Sequence, residues 1–175
     1  MNHDANDARH EMSGAPPLLA PQIPLPPYAY RPGRNAHPLR HPQGHMFGGV
    51  EMRPPLPAQN AWATETGHLH AIDLFNNKFW WEAHEAWESY WHSAPVGTAE
   101  HHALKGLIQF AALHLKIESA DVATAATLQR NALQNLEVAN GHGLVRGGRC
   151  LGFDLIEICA LITAAAPHLP APKAQ

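Results

Sequence analysis

Few of the features that usually place a chain are present in this one. Its 175 residues hold two cysteines, Cys150 and Cys159. Their spacing fits neither a disulfide framework nor a zinc ribbon, so both are read as reduced thiols, Cys159 as a small core residue. No apolar run reaches the roughly 18 to 20 residues that cross a bilayer, and the N-terminus lacks a basic start followed by an apolar stretch. The expectation is a cytoplasmic protein with no membrane partner. Basic residues form no run and the formal net charge is −3, which removes the electrostatic footprint of a phosphate-backbone binder and with it nucleic acid as a partner. Sustained strand alternation with hairpin signals is also missing, so no sheet is expected.

Proline is abundant but confined. Twelve of the sixteen prolines precede residue 60, and the alanine- and leucine-rich periodic segments follow it. Proline fixes φ and donates no backbone hydrogen bond, so the early region should run as extended chain. The expected organisation is a disordered tail over 1–27, a Pro/His-rich extended segment over 28–59, an all-α domain over 60–168 and a short tail over 169–175. Within "YAYRPGRNAHPLRHPQGHMFGG", Tyr28, Tyr30, Met46 and Phe47 are apolar anchors that a free linker would not need. That segment is expected to dock on the helices.

After residue 60 the apolar period becomes helical. "HLHAIDLFNN" reads as a helix closed by a left-handed residue at Asn76-Asn77. The stretch from Phe79 to Trp91 puts Phe79, Trp80, Ala83, Ala86, Trp87, Tyr90 and Trp91 on one arc, His84 at its edge and Glu88 just beyond. Glu82 and Glu85 fall opposite, on the expected solvent face. "AEHHALKGLIQFAALHLKIE" reads as a central buried helix, "ADVATAATLQRNALQNLEVA" as a fourth helix stopped at Asn140-Gly141, and "FDLIEICALITAAAPHLP" as a last one closed by Pro167. The fold class is therefore all-α: a small bundle of four to six helices, with Leu104, Leu107, Ile108, Ala111, Leu115 and Trp87 in the core.

"LFNNKFWWEAHEAWESYW" followed by "LKGLIQFAALHL" resembles the paired signature of a family of small bacterial all-helical proteins, domain of unknown function three-zero-nine. The resemblance covers about residues 68 to 160. It matches Phe75, Asn76, Glu82, His84, Glu85 and Glu88, then Gly106, Leu107, Ile108, Gln109 and Ala111, with His114 near a position where members often carry histidine. Lys78 stands where members often have glycine. The resemblance implies a helical bundle and no established activity.

The chemistry is read from the residues. His84 and Glu88, four apart, project from one helix face, the spacing by which a helix offers two ligands to a divalent metal. "HEAWE" lacks the second histidine of a zinc-protease helix, and no Glu-x-x-His pair recurs on two helices as a di-iron bundle requires. His37 or His45 of the docked segment is the expected source of a third ligand. The site reading gives His84, Glu88 and Glu85 catalytic or ligating roles and lets Asn76 and Gln109 orient an unknown small molecule. Trp80, Trp87, Trp91 and His114 line its pocket. His84, Glu88, Asn76 and Gln109 should then converge. The competing reading is a non-catalytic helical module, its polar residues structural and its tryptophans driving burial or homo-oligomer formation.

Overall fold

The computed structural model describes residues 17–50, 53–142 and 147–165. Among these residues five α-helices follow a short 3-10 turn at Trp62–Thr64: α1 (Thr66–Asn76), α2 (Trp80–Trp91), α3 (Ala99–Glu118), α4 (Val122–Asn140) and α5 (Leu155–Ala164). The fold is all-α but for one small correction to the expectation of no sheet. Strands β1 (Arg149–Cys150) and β2 (Phe153–Asp154) pair antiparallel, with Cys150 opposite Phe153. Between them Leu151 and Gly152 have φ of 54° and 78°, the positive values of a two-residue hairpin turn. Leucine tolerates this poorly, yet its side chain is 2 % exposed, and that burial offsets the backbone cost. Pro167 lies outside the described residues.

Helix ends follow local chemistry. Thr98 caps α3 by accepting the His101 N–H, Asp121 caps α4 through Thr124, and Asp154 caps α5 through Ile156. The turn after α1 forms a Schellman motif, with Phe79 N–H donated to the Leu74 carbonyl at 2.8 Å and Lys78 N–H to Phe75 at 3.0 Å. The left-handed residue is Lys78, φ 66°, not Asn76 or Asn77. The motif places its strained residue one position beyond the helix cap, and Asn77 is that cap. Ala120 repeats the arrangement after α3.

Helix α3 is central, packed between α2 and α4, with α1 against α2 and α5 against α4. Leu104, Leu107, Ile108, Ala111 and Trp87 are buried as expected, whereas Leu115, near the C-terminal end of α3, is only half-buried. At Gly106 α3 lies tight against α4, since a Cβ there would sit 2.8 Å from Leu136 Cγ. Both cysteines are free, and it is Cys150, not Cys159, that is buried; desolvation pushes its thiol up to about 12.

The proline-rich region lies on the helices from an earlier point than residue 28. Asp73, buried in α1, accepts the Leu19 and Ala20 N–H groups, both at 2.8 Å, and Ala20 is fully buried. Farther along, Arg31 pairs with Glu118 and donates to the Lys78 carbonyl at 2.8 Å. Tyr30 and His37 both pack on Trp81, at 5.4 Å between ring centroids.

Candidate functional site

One edge of α2 gathers His84, Glu85 and Glu88. One ligand atom from each lies within 4.8 Å of the others. His84 Nδ1 is 3.2 Å from the Ile108 carbonyl oxygen, which only accepts, so Nδ1 carries the proton and Nε2 presents its lone pair. That lone pair faces Glu88 Oε2 at 3.8 Å, too far for a hydrogen bond. Burial holds the imidazole below its ordinary range, against the opposing pull of Glu88 and the Ile108 bond. A carbonyl fixing one ring nitrogen so that the other is free is the usual support of a metal-bound histidine. Ligand atoms around a bound cation sit about 3 to 4 Å apart, somewhat closer than the 4.8 Å within which these three atoms lie.

The neighbouring side of α2 departs from expectation. Glu82 is not on a solvent face: it is 4 % exposed, because residues 26–50 cover it. Its Oε1 accepts the Tyr30 N–H at 2.8 Å and lies 3.6 Å from His45 Nε2. Oε2 and both His45 ring nitrogens are buried and find no hydrogen-bond partner among the described residues. Burial raises the Glu82 carboxyl, opposed by the Tyr30 N–H, by its own backbone N–H and by Arg31, and lowers His45. These groups border a cavity of about 450 Å³ that Leu39, Met46, Leu74 and Ala86 line with apolar surface. Glu85, also expected on the solvent face, is half-buried and lines the same cavity. On the helical wheel it falls between Glu88 and Glu82, so it borders both arrangements.

The remaining expected residues disperse. Asn76 is exposed at the end of α1. Gln109 turns to α4, where its Oε1 accepts from Asn135 at 3.0 Å and Asn135 Oδ1 lies 3.2 Å from His102 Nδ1. The fourfold convergence of His84, Glu88, Asn76 and Gln109 does not form. Trp80 stacks on His114 at 4.2 Å and donates to Glu118 at 3.1 Å. Trp87 donates to buried His68, and Trp91 packs beside His101. None of these three lines the cavity. His45 reaches Glu82 and His37 rests on Trp81, so the third group beside His84 and Glu88 is Glu85. Helical periodicity missed Glu82, although it is one of the family-motif positions.

Residues 69–128 match the model of a family described as a domain of unknown function (DUF309). The matched segment runs from α1 into α4 and contains Glu82, His84, Glu85 and Glu88; His45 and the covering segment lie outside it. No curated protein and no solved structure matches the chain.

Proposed function

We propose that this chain, whose residues 69–128 match DUF309, binds a divalent cation at the edge of α2 through His84 Nε2 and the carboxylates of Glu85 and Glu88. The observation that carries the reading is the 3.2 Å contact of His84 Nδ1 with the Ile108 carbonyl. It fixes the tautomer and aims an unprotonated nitrogen at two carboxylates. Three protein ligands leave coordination positions open, so the cation would act as a Lewis acid toward water or a small-molecule oxygen, the basis of hydrolase-like chemistry.

The test is calorimetric titration of the chelator-treated full chain with Mn²⁺ and Zn²⁺. One site per chain is expected, with His84→Ala and Glu88→Gln each weakening it at least tenfold. Undiminished binding by both variants would end the reading.

A second reading has its own support in the same bond. His84 joins α2 to α3 through the Ile108 carbonyl, a tie that a purely structural histidine would also make. If that is its whole role, His84→Ala lowers the unfolding temperature and the wild-type chain binds no cation.

A further inference from the structure

We infer that the cavity between residues 26–50 and helices α1 and α2 is a binding site for a small apolar amine, with Glu82 as the residue that receives its nitrogen. The inference goes beyond the cation reading and does not depend on it.

The cavity wall leaves polar atoms without partners among the described residues. Glu82 is 4 % exposed, its side chain is held by the Tyr30 N–H, and Oε2 has no partner among the described residues. His45, whose side chain is 8 % exposed, leaves both ring nitrogens unpartnered. Buried polar atoms are nearly always hydrogen-bonded, and each one left unmade costs about 1 to 3 kcal/mol. With Nδ1 of His70, which lines the same cavity, four such atoms point to a partner that the described residues do not supply. Arg31, whose charge acts on Glu82, is committed elsewhere, since it pairs with Glu118 and the Lys78 carbonyl.

The shape gives the rest of the ligand. About 450 Å³ lies within the range of small-ligand sites, about 300 to 1,000 Å³. Leu39, Met46, Leu74 and Ala86 form an apolar wall suited to a hydrocarbon or aromatic body. An ammonium carries donors and no acceptor. It would give one N–H to Glu82 Oε2 and another to the unprotonated nitrogen of His45, whereas an anion would meet the carboxylate head on.

The experiment uses the full chain in chelator, with 2-phenylethylamine as probe and 2-phenylethanol and phenylacetate as its neutral and anionic counterparts. Calorimetry is expected to show the amine binding at least tenfold more tightly than either. Glu82→Gln should remove that preference, and Ala86→Leu should fill the cavity and abolish binding with little change in unfolding temperature. His84→Ala and Glu88→Gln should leave amine binding intact, which separates failure here from failure of the cation reading. Equal binding of the alcohol, preference for the acid, amine affinity unchanged in Glu82→Gln, or no binding by any probe, meaning that water alone satisfies these atoms, would each overturn the proposal. Should Glu82→Gln not fold, the ranking of the three probes on the wild-type chain and the Ala86→Leu result decide it.

Discussion

The indole N–H of Trp87 is donated to Nδ1 of His68, 3.3 Å away, and Nε2 of the same ring lies 3.0 Å from the Leu151 carbonyl oxygen. Together these contacts permit one tautomer, with the proton on Nε2. The ring thereby ties α1 to α2 and to the hairpin turn, and it is 1 % exposed. A second proton would have to go on Nδ1, against the indole N–H.

That arrangement sets an acid limit on stability. Desolvation, the largest influence, lowers His68 from 6.5 to about 4, against the Leu151 bond and Glu65. The unfolded chain therefore binds the proton first, so the stabilisation is complete above about pH 6.5 and lost as pH falls through about 4. The expected loss is on the order of 3 kcal/mol. Denaturant unfolding at several pH values checks it, and His68→Gln should have a flatter profile over this window than the wild-type chain.

Lys78→Gly is expected to stabilise the protein. Lys78 holds φ at 66°, where a Cβ costs about 1 to 2 kcal/mol, while glycine adds freedom to the unfolded chain. The strain relief is the larger effect, so the net gain should be about 0.5 to 1 kcal/mol. A lower unfolding midpoint for the variant would contradict this account of the turn.

Gly106→Ala should do the opposite, although alanine is the better helix former by about 1 kcal/mol. The added methyl would lie 2.8 Å from Leu136 Cγ and Cδ2 and 3.3 Å from the Ala132 carbonyl oxygen. Leu136 is fully buried and has little room to retreat. Overpacking of this kind costs about 1 to 3 kcal/mol, and the prediction is a net destabilisation measurable by thermal unfolding.

Arg31 holds the covering segment down. Its guanidinium meets Glu118, whose carboxylate also accepts the Trp80 indole N–H. Limited tryptic digestion should cut slowly after Arg34 and Arg40 in the native chain and at least several-fold faster in Arg31→Ala. Equal rates would show that Asp73 and Glu82, which hold the same segment through the Leu19, Ala20 and Tyr30 amides, suffice without it.

By itself the sequence determined the helices, because a 3.6-residue apolar period and a stop at Asn140-Gly141 are local signals. It also determined that His84 and Glu88 share a face, since spacing along one helix fixes that relation. What lies opposite each side chain was decided by tertiary structure. Glu82 reads as solvent-facing on its own helix and becomes buried only when Tyr30, 52 positions earlier, donates its amide to it. Gln109 points to Asn135 on α4 and not to His84 on α2, a choice made by how α3 packs between its two neighbours. A helical period gives the angle of a residue about its own axis. The partner at that angle is set by long-range packing, which no local pattern encodes.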